Sequence, residues 1–315
     1  MLVREPFRTR ELESLAETCV SFLERAQLPS GRFYNRLSAE TGEWSETGSD
    51  DAEGRALYGL GVASALPDKR GRRALACFER AAGIESPSPR ANAWVVLGTC
   101  AVLAVVPRHR EATSLLSRAL RGIGTVFPDP DWPWPELRLA YDNARLVEAR
   151  IAAGVTLGDP ALLDEGLSLL EWLVSVESAG EYFSFTPAGG RGPGELPPGF
   201  DQQPIEAGSM ADACAAAFDA TGDEYWADLT LLAADWFLGN NDTGVSLFDP
   251  VSGGGCDGLQ RQGRNENQGA ESTLALIGAF QQAARVQAAR RSASRSSWVE
   301  TSAAPTLLSA APYVR

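Results

Sequence analysis

The run Gly199-Phe200-Asp201-Gln202-Gln203-Pro204-Ile205-Glu206 puts two carboxylates, two amides and an aromatic ring where a Gly/Pro-rich loop meets a helix of small residues. Such a run makes a poor core and a good polar pocket. Three other runs share its character. Asp50, Asp51, Glu53 and Arg55 open one helical stretch. Trp132, Trp134 and Glu136 lead into Tyr141, Asp142, Asn143 and Arg145. Asp257, Arg264, Glu266, Asn267 and Gln268 lead into Glu271. Rings of this kind stack on the apolar faces of sugars, and amides and carboxylates take hydroxyls. Breaking a glycosidic bond needs one protonated and one ionised carboxyl, roughly 6.5–9.5 Å apart when water is the direct nucleophile.

Each carboxylate also has a plainer explanation. An Asp at a helix start caps the first turn or complements the helix dipole. Asp51 with Arg55 and Asp142 with Arg145 have the spacing of ordinary intrahelical ion pairs. Caps do not account for the accompanying Trp, Tyr, Asn and Gln, and Gln202 and Gln203 least of all. The histidine inventory narrows the chemistry further. His109 is the single histidine, so Ser-His or Cys-His dyads and multi-His metal centres have no material. It stands in a charged stretch and reads as a surface residue. The Asn/Asp/Gly-rich segment from Asn240 to Asp257 lacks an EF-hand spacing and reads as turns. No metal or cofactor is expected.

These runs need a scaffold, and helical periodicity dominates the chain. Amphipathic stretches at 8–27, 69–83, 109–125, 160–176 and 223–238 alternate with stretches rich in Gly, Ala, Ser and Cys. The second kind begins near Ser49, Pro89, Ala140, Pro204 and Gly269. A helix apolar most of the way round must be surrounded. The first set is therefore expected outside and the second inside, in about five helical hairpins. That is an all-α toroid with parallel inner helices. Most of the inner helices follow a long polar or aromatic loop, whereas the loops on the other side are short. One face then carries the elaborate loops, as a binding site requires.

Composition bounds the partners. The chain has 315 residues, 44% apolar and 22% charged, with a net charge of −13. That charge disfavours nucleic acid and anionic membrane surfaces. Five cysteines without CxxC spacing suit reduced thiols. No secretory leader is visible and the longest apolar run contains Asn92, so a cytoplasmic protein is expected. Residues 1–285 are expected to form the toroid, and the Arg/Ser/Ala-rich residues 286–315 a disordered tail.

Asp-Asp-Ala-x-Gly-Arg, Tyr-Asp-Asn-Ala-Arg, Asp-Gln-Gln-Pro-Ile-Glu-Ala and Asn-Gln-Gly-Ala-Glu-Ser-Thr at inner-helix starts resemble the six-hairpin glycosidase-like superfamily. More narrowly, they resemble bacterial helical domains that stand alone or behind glycosyltransferases. The resemblance spans residues 8–285. It implies an (α/α)6-type toroid, here with five clear hairpins, that acts on or binds an oligosaccharide. Carried onto this chain, it makes Asp51, Asp142, Asp201 and Glu206 the candidate acids. The related sugar 2-epimerases use histidines that this chain lacks at such positions.

The leading expectation is a glycoside hydrolase for a neutral oligosaccharide. Asp142 and Asp201 form its acid/base pair, with Asp51 and Glu206 as alternates. Trp132, Trp134 and Phe200 make the sugar platform. Tyr141, Asn143, Arg145, Gln202, Gln203, Arg264, Asn267, Gln268 and Glu271 complete the substrate contacts. A second reading is a non-catalytic glycan-binding domain that works with a glycosyltransferase. A third is a plain helical scaffold.

Overall fold

A computed structural model describes residues 5, 9–45, 48–195 and 199–302, with side chains as far as residue 292. Its helices are α1 (Arg10–Ala26), α2 (Asp50–Ala63), α3 (Lys69–Ala81), α4 (Pro89–Val105), α5 (Arg110–Gly122), α6 (Asn143–Leu157), α7 (Pro160–Glu177), α8 (Pro204–Thr221), α9 (Glu224–Asp235) and α10 (Ala270–Ser302). Two short antiparallel strands, β1 (Gly258–Gln260) and β2 (Gly263–Asn265), form a hairpin before α10. The architecture is an all-α toroid.

Local chemistry fixes most helix starts. The side chains of Thr9, Ser49, Asp68, Ser88, Asp159 and Asp223 each accept a first-turn N–H. His109 caps α5 in the same way and bonds Glu79 through Nε2 at 2.9 Å. The expected alternation holds except at α10, which was expected inside but buries only one stripe of its described side chains, like an outer helix. Helices α2, α4, α6 and α8 are buried along most of their length, while α1, α3 and α5 bury one stripe.

The inner helices pack in succession, α2 on α4, α4 on α6, α6 on α8 and α8 on α10, with α3, α5, α7 and α9 outside them. The α2–α4 contact is backbone on backbone. A Cβ on Gly61 would lie 2.1 Å from the Gly98 carbonyl oxygen, and one on Gly98 would lie 2.5 Å from that of Leu57. Helices α10 and α2 do not pack on one another in this way. The ring has a seam there, and Arg55 Nη2 reaches Glu271 across it at 3.4 Å.

The long loops gather at the N-terminal ends of the inner helices and are stitched together. Leu139 and Arg191 exchange backbone hydrogen bonds of 2.8 and 3.0 Å, and Gln202 and Leu259 exchange bonds of 3.0 and 2.9 Å. Glu53 fastens the first of these loops by accepting from Arg32 Nε at 2.7 Å. Helix α10 continues to Ser302, past the boundary expected at residue 286. The rest of the expected tail, 303–315, lies outside the described residues. Among the described residues no helix is long and apolar enough to cross a membrane.

Candidate functional site

A cavity of about 570 Å³ lies inside the ring and reaches the seam. That size is ordinary for a small-ligand site. Asp51, Arg55 and Tyr58 line it from α2, Trp94 from α4 and Arg145 from α6. Helix α8 adds Ile205, Gly208, Ser209 and Asp212, and α10 adds Glu271, Leu274 and Ala275. On α2, α8 and α10 these positions recur every three or four residues, as one helix face pointing at the lumen must.

Two guanidiniums organise the wall. Trp94 lies between them, with Arg55 Cζ 4.9 Å and Arg145 Cζ 4.1 Å from its ring. Arg55 Nε donates to Asp51 at 2.8 Å. The other Asp51 oxygen accepts the Tyr141 hydroxyl at 3.2 Å. Burial, reinforced by Asp51, pushes the Tyr141 phenol up to about 12, so it stays a donor. Arg145 pairs with Glu148 and, at 3.1 Å, with Asp212.

Asp142 sits against this wall without lining the cavity. It is fully buried, and neither of its oxygens receives a donor in hydrogen-bonding geometry. Arg145 Nε is 3.5 Å away. Burial raises its carboxyl above the ordinary value, opposed by Arg145, Arg55, Arg90 and the Ser209 hydroxyl. Asp142 is also the one non-glycine among the described residues at positive φ, at 51°. A left-handed residue of this kind costs about 1–3 kcal/mol and persists only where its surroundings impose it. Helix α6 therefore begins at Asn143 instead of Ala140.

The surroundings are explicit. Glu206 accepts from the Asp142 and Asn143 backbone N–H groups and from Asn143 Nδ2. Asn143 Oδ1 accepts from Ala140 N at 3.0 Å and Arg90 Nη2 at 3.2 Å, and Arg90 Nε holds the Tyr141 carbonyl at 2.6 Å. Glu206 is buried, and desolvation, Glu177 and Asp142 all push it up. Glu177 accepts from Thr186 N at 3.1 Å, and burial lifts it to about 7.

Asp51, Arg145 and Glu271 thus meet at the cavity, with Tyr141 joined to it through Asp51 and with Asp142 and Asn143 behind. The other expected site residues lie elsewhere. Asp201 is exposed and does not line the cavity. Its neighbour Gln202 turns inward, and in extended chain the flanking side chains must turn out. Gln202 itself is a core hub. Its Oε1 accepts from Phe185 N at 3.2 Å and Trp236 Nε1 at 3.4 Å, and its Nε2 donates to Asp242 at 2.7 Å. Gln203 is the N-cap residue of α8 and makes no side-chain cap bond.

Phe200 packs beneath Arg261, 5.3 Å from its ring. Trp132 and Trp134 are buried on Trp172, with ring centroids 5.2 and 5.6 Å away, so they build core instead of a sugar platform. Arg264 pairs with Glu266. Asn267 bonds Asp257, and Gln268 bonds Asp249 and Ser252, in the turns that start α10. Among the described residues no group of three or more His, Cys, Asp or Glu could hold a metal ion.

Sequence reading missed Tyr58, Trp94, Ser209 and Asp212. They lie inside helices, whereas attention fell on helix starts. Asp212 and Trp94 in otherwise small, apolar helices were the available signal.

No family profile and no curated protein sequence matches the chain. Solved structures do. A sugar epimerase from a ruminal bacterium aligns at TM-score 0.62 and 14% identity, over 86% of this chain and 82% of its own. A GH76 α-mannanase of Bacteroides thetaiotaomicron aligns at 0.56 and 12%, over 86% and 77%. An inactive variant of a Salegentibacter GH76 α-1,6-mannanase, in complex with α-1,6-mannotetrose, aligns at 0.55 and 10%, over 87% and 98%. With its alternating inner and outer helices and a cavity inside the ring, the chain shares the α/α-toroid fold of these solved structures.

Proposed function

We propose that the protein is a carbohydrate-active enzyme, a glycoside hydrolase that holds a short oligosaccharide in the cavity between α2 and α10. The observation that carries this reading is the pairing of two unlike carboxyls at one wall. Asp51 faces the cavity, where its carboxylate accepts from Arg55 Nε at 2.8 Å. Asp142 is buried behind the same wall, 3.5 Å from Arg145 Nε, and burial raises its carboxyl toward the protonated form. Opposed environments of this kind assign acid and base. Asp51 takes a proton from the attacking water. Asp142 supplies one to the leaving oxygen through the cavity-lining Ser209, whose hydroxyl donates to the Glu206 carbonyl at 3.2 Å and must turn toward the substrate for the transfer. Asp51 replaces the exposed Asp201 as partner of Asp142. The fold is shared with two mannanases whose names describe such chemistry. His109 caps an outer helix, which offers no support for a histidine-based epimerase.

The test is release of reducing ends from a panel of neutral and charged oligosaccharides, wild type against Asp51→Asn and Asp142→Asn. Turnover by the wild type and its loss in both variants is expected. Unimpaired turnover in both variants refutes the assignment. One observation favours a second reading, glycan binding without catalysis: Asp51, Asp212 and Glu271 are already paired with arginines. It predicts saturable binding with no product.

A further inference from the structure

The charge of the cavity does not balance. Arg55 and Arg145 are the cations of its wall. Around them, within ion-pairing distance, stand five carboxylates: Asp51 and Glu271 on Arg55, and Asp142, Glu148 and Asp212 on Arg145. Even with Asp142 protonated, the group carries a formal surplus of two negative charges (four carboxylates against two guanidiniums). Both guanidiniums are already engaged, Arg55 by Asp51 and Glu271 and Arg145 by its own carboxylates. Arg145 is 4% exposed and shared among three carboxylates, and both cations stack on Trp94. Ile205, Leu274, Ala275 and the Trp94 ring supply low-dielectric walls, which focus that surplus onto whatever enters.

Of these carboxylates, Asp51, Asp212 and Glu271 line the cavity. A ligand that suits such a wall brings them a positive charge.

We infer that the cavity selects a sugar carrying a protonated amine, and rejects uronates, sulfated sugars and sugar phosphates. The inference rests on the cavity being the glycan site proposed above. The ammonium lies toward Glu271 and Asp51, which are the more exposed of the carboxylates. The rest of the sugar packs along Tyr58, Trp94 and Leu274.

Calorimetric titration of the whole protein separates the possibilities. The probes are glucosamine oligomers, their N-acetylated counterparts and galacturonate oligomers, each at low and at high salt. Acetylation removes the charge and keeps the ring and its hydroxyls. The amine form should bind about tenfold more tightly than the acetylated form at low salt, one full ion pair's worth. The ratio should shrink at high salt, and galacturonate should not bind. Glu271→Gln should cut the preference for the amine several-fold, and an unchanged preference in that variant overturns the charge selection. Equal binding of amine and acetylated forms, or tighter binding of galacturonate, overturns the charge selection and leaves the glycan site standing. Failure of all three oligomers to bind overturns both.

Discussion

Two layers of polar residues lie one behind the other at the mouth of the ring, and they use the same residue types differently. The front layer is Asp51, Arg55, Trp94, Arg145, Asp212 and Glu271, open to the cavity. The rear layer is Arg90, Asp142, Asn143, Glu177 and Glu206, almost wholly buried. In front, arginines hold carboxylates that can still meet a ligand. Behind, a carboxylate holds backbone: Glu206 collects the N–H groups that α6 leaves unpaired and so fixes Asp142 in a left-handed conformation. Depth, more than residue type, separates a group that can bind from a group that positions.

Substitutions that respect or breach this division should behave oppositely. The largest effect is expected from Asp51→Asn in front. It should lower turnover on the order of 10²- to 10⁴-fold, the usual worth of general acid–base catalysis, with little change in Tm. Asp142→Asn should lower turnover similarly. Asn tolerates the left-handed region, so stability should hold or rise slightly. In the rear layer, Glu206→Ala should cost roughly 2–4 kcal/mol in denaturant unfolding, because buried N–H groups lose their acceptor. A loss under about 0.5 kcal/mol would erase the distinction between the layers.

A pH titration should give a smaller effect. Burial raises the folded pKa of Glu177 to about 7, whereas the unfolded chain titrates near an ordinary carboxyl value of about 4.3. Between these values the unfolded state releases its proton and the folded state keeps it. Stability should therefore fall as pH rises through that window and level off on either side. Glu206, raised in the same direction by the same burial, adds to the slope. Glu177→Gln should flatten it, leaving acid stability unchanged and raising Tm above neutrality. The smallest effect is expected from Glu271→Gln. Its side chain is 58% exposed, and stability should move by less than about 0.5 kcal/mol.

The scaffold was legible because it is written in charge. Amphipathic α3 and α5 against all-round apolar α4 is a difference of sequence before it is one of position, and it correctly divided outside from inside. Asp51, Arg145 and Glu271 were legible because they open helices that a ring must point one way. Trp132 and Trp134 were misread because a Pro-rich aromatic loop looks the same whether it faces solvent or folds under Trp172. Asp201 and Gln202 were confused in the same way: one-residue alternation decides which side chain enters the core, and a loop does not announce its phase. Asp212 and Trp94 were passed over because helix rotation about its own axis is settled by neighbours.

The backbone contact of α2 with α4 has a mechanical consequence. Where Gly61 meets Gly98 there is no side-chain cushion to compress, so Asp51, Arg55 and Trp94 ride on a single stiff jaw. The opposite jaw, α10, meets α2 across the seam chiefly through Arg55 and Glu271. A bulky guest would be accommodated by spreading that seam against the solvent-screened Arg55–Glu271 ion pair and the packing of α10 on α8 and α9. The width of the mouth should thus be tunable with salt, while the spacing of the groups on the stiff jaw stays constant.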